Sequence, residues 1–440
     1  MKPPPSICLV LALLGWAMPA TAQAPLTLAE AVARARAHNP DAGTSASAER
    51  EAAERVAQAR AGYWPKVDAA ESWQRGNQPV FVFGALLAQG RFGAENFALA
   101  ALNHPDAVDN FRSMVSVEQP LFDGATRANV TAAGIGHEVA AANRLMVDQD
   151  LAMNVTEAYG RILVAAGGRR SADAAAEAAR ADRELAGNRR DAGVVTDADV
   201  LQLDVHVSRT REQQIRSASD ERIARARLNQ LMGEPLGAPF LLESAASAPV
   251  IDTSNLAALE TEAIGKRPDV AVARLQQQLA EAQQTMARAA FLPQVSAQGG
   301  WEFNGGVWSS RQSSWGVGAV ARINLFHGFG DKARLGEAAE QARRRALERE
   351  KTVTAVRLDV HVAVAKLEAA RASAAVGASA VAQARESQRI IRDRYEAGLT
   401  DIVSLLRAAE AVVQSESQQL AAQVAVLTET AALERALGRR

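Results

Sequence analysis

Few residues of this 440-residue chain are placed to make or break bonds. Its six histidines, His38, His104, His137, His206, His327 and His361, lack the short repeated spacing of a metal site. The single cysteine, Cys8, sits in an apolar N-terminal run. The serines lie in no nucleophile motif, and no glycine-rich phosphate loop follows a strand. We therefore expect no catalytic residue, no metal, no cofactor and no enzymatic activity. A formal net charge of −1 leaves no footprint for nucleic acid. The patterns that remain are two glycine turns, Asp191-Ala192-Gly193-Val194 and Glu396-Ala397-Gly398-Leu399. Thr196 and Asp197 follow the first, Thr400 and Asp401 the second, as candidate N-caps of a next helix. This is the chemistry of tight helical hairpins.

Long helices must carry those turns, and the prolines show where they fit. All fifteen prolines lie between Pro3 and Pro120, between Pro235 and Pro268, or at Pro293. Because a proline inside a helix costs about 3 kcal/mol, long helices belong in the proline-free spans 121–234 and 294–440. Phe329 to Ala397 reads as one continuous helix, roughly 100 Å long at a rise of about 1.5 Å per residue. Along it Val353, Val356, Val360, Val364 and Leu367 form a stripe that needs a partner helix. The pattern occurs twice. Twenty-five positions separate Pro40 from Pro65, and twenty-five separate Pro268 from Pro293. Gln119-Pro120-Leu121-Phe122-Asp123-Gly124 matches Ile323-Asn324-Leu325-Phe326-His327-Gly328, and each is followed by a long helix of matching length. The chain is an internal duplication.

Between the helices the period changes to two. Val295, Ala297, Gly299, Trp301 and Phe303 alternate with polar residues, as do Trp315, Val317, Ala319, Ala321, Ile323 and Leu325. Val67, Ala69 and Trp73, then Phe111, Val115 and Val117, repeat this in the first half, with Glu71 breaking the pattern. Four strands with one greasy and one wet face are long enough to span a bilayer. Their edges cannot face lipid, so closure needs further copies of the chain. The first hairpin has a loop about two dozen residues longer than the second, containing Pro79-Val80-Phe81-Val82-Phe83-Gly84 and Asn103-His104-Pro105-Asp106. It reads as a large external loop that could partly cover a barrel mouth. Met1-Lys2, the apolar run Ile7 to Met18 and Ala20-Thr21-Ala22 read as a secretory signal peptide.

The expected organisation is a signal peptide over 1–22, a first repeat over 23–232, a linking segment over 233–266 and a second repeat over 267–440. The first repeat has strands at about 65–75 and 110–122, a long helix at about 125–191 and a return helix at about 198–232. The second has strands at about 293–304 and 315–326, a long helix at about 329–397 and a return helix at about 401–437. The fold class is an α+β membrane protein, a long antiparallel coiled-coil body joined to strands of a shared transmembrane β-barrel.

Across the mature chain, the Leu26-to-Pro40 opening, Gln119-to-Gly124, Arg267-Pro268-Asp269, Leu292-Pro293-Gln294-Val295 and the glycine turns resemble the TolC-like outer-membrane efflux proteins. The resemblance implies a homotrimer with a twelve-stranded barrel among outer-membrane lipid and a helical tunnel in the periplasm. It also implies a passive exit duct of a tripartite efflux or type I secretion system. The implied partners are a periplasmic adaptor (membrane fusion) protein and an inner-membrane pump of RND, ABC or MFS type. In the family the adaptor docks at the glycine tips, here Ala192, Gly193, Val194 and Thr196 with Ala397, Gly398, Leu399 and Thr400. Asp199 and Tyr395 match positions that hold the family's entrance shut. Thr400 stands where the best-known form has arginine, and Ser404 and Arg407 where it has acidic rings. Asp197, Asp199, Arg394 and Asp401 are the expected substitute latch. The competing readings are a soluble periplasmic coiled-coil scaffold or adaptor, and a periplasmic hydrolase.

Overall fold

The structure, a computed structural model, describes residues 25–243 and 249–439. The signal peptide expected over 1–22 lies outside the described residues. The first half runs α1 (Leu28–His38), α2 (Pro40–Ala61), β1 (Lys66–Gly76), α3 (Pro79–Ala88), a 3-10 turn (Ala94–Phe97), α4 (Leu99–Asn103), β2 (Val108–Phe122), α5 (Gly124–Asp191) and α6 (Asp197–Met232). The second runs α7 (Leu256–Lys266), α8 (Pro268–Ala289), β3 (Gln294–Val307), β4 (Ser310–Arg322), α9 (Gly330–Glu396) and α10 (Ile402–Ala436). The prolines that punctuate the sequence start helices: Pro40 and Pro268 sit at the first turn of α2 and α8, where a missing N–H costs nothing.

The helices form one layer. α5 and α9, of 68 and 67 residues, are its unbroken members. Toward the glycine turns the order is α6, α5, α10, α9; toward the sheet it is α2, α5, α8, α9. Each short helix therefore shares a column with a return helix. The joints are direct: Asn39 at the start of α2 donates from Nδ2 to the Leu231 carbonyl at the end of α6, 2.8 Å away. Gly438, beyond α10, lies against the Lys266–Arg267 backbone that opens α8. Two buried clusters surround these joints. One gathers Leu151, Val155, Tyr159, Ile162, Leu228 and Met232, the other Val356, Val360, Val364, Leu367, Leu433 and Leu437. In the first, the Tyr159 hydroxyl reaches the carbonyls of Leu26 at 3.1 Å and Glu243 at 2.9 Å, and burial pushes its phenol up to about 12. Across the central seam, Gly160 and Gly167 of α5 face Val424 and Leu420 of α10, so the two repeats meet where α5 has no side chain.

The four strands form one antiparallel sheet in the order β1-β2-β3-β4. Its apolar face, with Val67, Trp73, Trp301, Trp315 and Val317, is largely exposed. Glu71 lies on that face, and its carboxylate accepts a hydrogen bond from Ser113 and pairs with Arg311 at 3.5 Å. Arg311 crosses the sheet over Gly305 and stacks on the Trp308 ring at 3.6 Å, so this carboxylate on the greasy face is compensated, as is Asp109 on the same face, which pairs with Arg75 at 2.9 Å and accepts from Trp73 Nε1 at 3.1 Å. No helix among the described residues is long and apolar enough to cross a membrane.

Three readings differ from the structure. β4 covers Ser310–Arg322 and not 315–326, because β3 offers partners only from Gln294, opposite Arg322. Residues 233–266, read as a linking segment, include helix α7, whose eleven residues mirror the eleven of α1. The long first loop contains α3 and α4.

Candidate functional site

The glycine turns close both helical hairpins in the same way. α5 ends at Asp191, Gly193 takes φ +75, and the Val194 N–H donates back to the Arg189 carbonyl at 2.9 Å. α9 ends at Glu396, Gly398 takes φ +74, and the Leu399 N–H donates to the Arg394 carbonyl at 2.8 Å. A left-handed residue followed by this backward bond is what ends a helix in a tight turn. The caps that follow are Thr196 and Asp401, at equivalent positions. Thr196 and Asp199 exchange bonds in a capping box: the Thr196 N–H donates to Asp199 Oδ2 at 2.9 Å, and the Asp199 N–H donates to Thr196 Oγ1 at 3.3 Å. Asp401 accepts from the Ser404 N–H at 2.8 Å, and those Ser404 hydrogen bonds hold its carboxyl below the usual carboxylate range. At the tips, Val194 and Leu399 project with 70% and 68% of their surface exposed.

Behind the turns the two hairpins pack on one another. Ala186, Val200 and Leu203 of the first meet Ile402 and Leu405 of the second, with Ile391 and Tyr395 against them. The Arg189 guanidinium lies 5.4 Å from the centre of the Tyr395 ring, and its Nη2 donates to the Glu396 carbonyl at 3.3 Å. Burial pushes the Tyr395 phenol up; Arg189 opposes the rise, while Asp199 and Asp182 add to it. Thus Asp199, Tyr395 and Arg189 converge. Among the described residues no hydrogen bond or ion pair joins any two of Asp197, Asp199, Arg394 and Asp401 within the chain. Asp197 instead faces Arg190 at 4.0 Å, and Arg407 lies on α10, near enough to Asp401 to lower its carboxyl further.

Arg189 was missed in the sequence although duplication points to it. It stands four residues before Gly193, as Arg394 stands four before Gly398. A second missed group lies deeper. Arg392 of α9 approaches Asp182 of α5 at 3.9 Å. Burial raises the Asp182 carboxyl, with Arg392 and His206 opposing and Glu396 adding to the rise. His206 of α6 is half-buried, and burial lowers its imidazole, with Glu410 of α10 and Asp182 pulling it back and Arg209 adding to the depression. A histidine whose folded value is depressed contributes stability above its ordinary value of about 6.5, lost as pH falls through the folded value. Asp182 has the opposite sign, its raised carboxyl contributing stability that is lost as pH rises, so the loss on acidification is that of His206 and begins at about pH 6.5. Limited proteolysis of the tips is expected to quicken between about pH 7 and about pH 5.5, and His206→Gln to remove that change. Equal digestion at both values would show that His206 does not carry it.

The chain matches the model of a family described as "Outer membrane efflux protein" over residues 31–234 and 259–439. It is 30% identical to Protein CyaE of Bordetella pertussis over 314 residues, which are 69% of this chain and 65% of that protein. Among solved structures it superposes on the outer membrane channel CmeC of Campylobacter jejuni with a TM-score of 0.78 at 15% identity, covering 93% of this chain and 85% of that one. It superposes on the outer membrane protein VceC of Vibrio cholerae with a TM-score of 0.77 at 19% identity, covering 94% and 96%. The two-repeat arrangement of long helices and four strands is thus a fold shared with outer-membrane channels.

Proposed function

Because the chain belongs to the outer membrane efflux protein family, we propose that three copies close into a single exit duct. Channels of this family trimerise and work within efflux systems. Four strands from each copy make a twelve-stranded barrel in the outer membrane, and the helical layers continue it as a tunnel through the periplasm. The duct is passive. An inner-membrane pump of RND, ABC or MFS type drives cargo through it, bridged by a periplasmic adaptor in a tripartite efflux or type I secretion system.

The observation that carries this reading is the matched pair of open edges. β1 and β4 are the unpaired edges of the sheet, and the α2/α6 column and α9 are the outer members of the helical layer. On α9 the exposed residues Val362, Ala369, Val376 and Ile390 fall on one seven-residue repeat, interrupted only by the amide of Gln383. On α6 Leu201, Val205, Ile215 and Ile223 are exposed. Such a stripe is a coiled-coil seam awaiting a helix, and α6 of the next copy supplies one. Joining unlike edges head to tail generates a ring, which buries both seams and both strand edges at once.

The tips are the proposed adaptor surface. Exposed Val194 and Leu399 beside Ala192, Gly193, Thr196, Ala397, Gly398 and Thr400 give each copy two equivalent apolar knobs. The gate is proposed at Tyr395, Asp199 and Arg189, with Asp197, Arg394, Asp401, Ser404 and Arg407 facing neighbouring copies at the entrance. Fractionation followed by sizing in mild detergent and planar-bilayer recording tests the whole reading. The expected result is outer-membrane recovery, a particle of about three times the 46.6 kDa chain, and ion conduction. A water-soluble monomer without conductance would overturn it in favour of a periplasmic scaffold.

A further inference from the structure

The two strand hairpins differ at their outer ends. β3 and β4 are joined by Trp308 and Ser309 alone, whereas β1 and β2 are separated by residues 77–107. Within that longer connection α3 reads Pro79-Val80-Phe81-Val82-Phe83-Gly84-Ala85-Leu86-Leu87-Ala88, without one polar side chain. An all-apolar helix at the end of a sheet has two obvious places to go: outward into lipid or inward over the pore.

Its anchor decides between them. Gln89, directly after α3, is buried and donates from Nε2 to the Asp109 carbonyl at 2.7 Å and to Asn110 Oδ1 at 3.0 Å. Asn110 in turn donates to Asn304 Oδ1 at 3.0 Å. Gly90 lies against Gln312, and Gly306 leaves space for the Arg91 guanidinium, which bonds to Gln89 Oε1 at 3.1 Å. In the strand register Asn110 pairs with Gln74, and Asn304 pairs with Arg112 on one side and Gln312 on the other. Alternation places these residues on the wet face, together with Ser72 and Glu302. α3 is therefore rooted on the pore side.

Part of its apolar surface is used within the loop. Val82, Ala85 and Leu86 are buried, and Phe83, Phe92 and Phe97 stack edge to face with centroids 4.7 and 5.1 Å apart. The rest has no cover. Val80 is 86% exposed and Leu99 of α4 77%, with Leu87 and Phe97 also open. A monomeric surface inside a water-filled pore gains nothing from such a patch unless another apolar surface meets it.

We infer that α3 and the exposed apolar residues of its flanking loop from three copies pack against one another across the outer end of the barrel and form an apolar seal there. The occupant of each patch is the same patch of the neighbouring copies. This rests on the three-copy reading above. Pro79 follows Gly76, the end of edge strand β1, after only two residues, so closing the barrel sets three α3 roots at equal intervals around one rim, each within reach of the axis. The dimensions agree. Twelve strands about 4.8 Å apart and tilted by about 40° enclose a circle of roughly 12 Å radius. Three touching helices, each about 10–12 Å across with side chains, cover a circle of roughly 11–13 Å radius, enough to lie across the end of a barrel whose strand backbones define the roughly 12 Å circle. Charge agrees as well, since α3 brings no like charges together on the axis, and an apolar constriction gates by dewetting, passing ions only while it is open.

The test reads the outer end separately from the periplasmic entrance. Ser72→Cys places a thiol on the wet face of β1 below α3, and intact cells are treated from outside with a membrane-impermeant maleimide. Slow labelling is expected, rising by about tenfold or more when Val80→Ser, Leu87→Ser and Leu99→Ser are added at exposed positions. An Asn77→Cys variant at the root of the loop provides the unhindered rate. Labelling of Ser72→Cys as fast as Asn77→Cys would overturn the seal, and so would an equally slow rate with and without the serines. Sizing each variant in detergent keeps the two readings apart: a trimer with fast labelling removes only the seal, whereas absence of a trimer removes the duct itself.

Discussion

In a duct whose outer seal is already opened by Val80→Ser, Leu87→Ser and Leu99→Ser, replacing Arg189 and Tyr395 together with alanine is expected to raise the time-averaged conductance by about tenfold or more. The reasoning starts from their place: they join the α5–α6 hairpin to the α9–α10 hairpin just behind the tips, where both repeats share one small cluster. A cation over an aromatic ring at a half-exposed site contributes about 0.5–1 kcal/mol, and three copies act together for about 1.5–3 kcal/mol. An energy of that size shifts a closed-to-open ratio by roughly ten- to hundredfold. Asp199→Ala alone is expected to act differently. Its carboxylate is committed to the capping box with Thr196, so its loss weakens the start of α6 by about 0.5–2 kcal/mol and reaches Tyr395 only through the lost charge. Planar-bilayer recordings distinguish these outcomes. Unchanged conductance in the double variant, with the trimer intact, would remove the pair from the gate.

The sequence makes the architecture legible because its strongest signals are long-period ones. Proline cannot be placed inside α5 or α9, alternation in β1 to β4 separates lipid from water, and equal proline spacing exposes the duplication. Signals that depend on which helix lies beside which are weaker. Arg189 and Tyr395 sit in different repeats, 206 positions apart, and no local pattern pairs them. Asp197, Asp199, Arg394 and Asp401 cluster around equivalent turns, and within the chain Asp199 and Asp401 cap their own helices while Asp197 faces Arg190, so a latch among them would join neighbouring copies. Helix α7 was hidden by the prolines around it: Pro235, Pro239 and Pro249 suggest a linker, but Leu256 to Lys266 contains none. The pore-side position of α3 was illegible for a different reason. Its apolar sequence says only that it avoids water, and the deciding amides, Gln89, Asn110 and Asn304, are brought together by strand register.

Four glycines with nearly the same backbone provide the sharpest test of how the helical columns are built. Gly193, Gly233, Gly398 and Gly438 have φ of +75, +72, +74 and +71. Any other residue pays roughly 1–2 kcal/mol for that conformation. At the tips that is the whole cost, because a Cβ on Gly193 or Gly398 meets nothing within 4 Å. At the joints a Cβ on Gly233 would lie 2.5 Å from the His38 carbonyl oxygen, and one on Gly438 would lie 2.8 Å from the Arg267 nitrogen. Those neighbours are backbone and cannot rotate away, so the α6-to-α2 and α10-to-α8 joints must open by a further cost of about 1–3 kcal/mol each. Gly233→Ala with Gly438→Ala is therefore expected to lose about 4–10 kcal/mol, comparable with the total stability of an ordinary domain. Gly193→Ala with Gly398→Ala should lose about 2–4 kcal/mol. Thermal melting of the two double variants measures the difference directly. Equal melting temperatures would mean that the return helices do not bear on the short helices above them, and each column would then be two independent segments whose alignment comes from α5 and α9 alone.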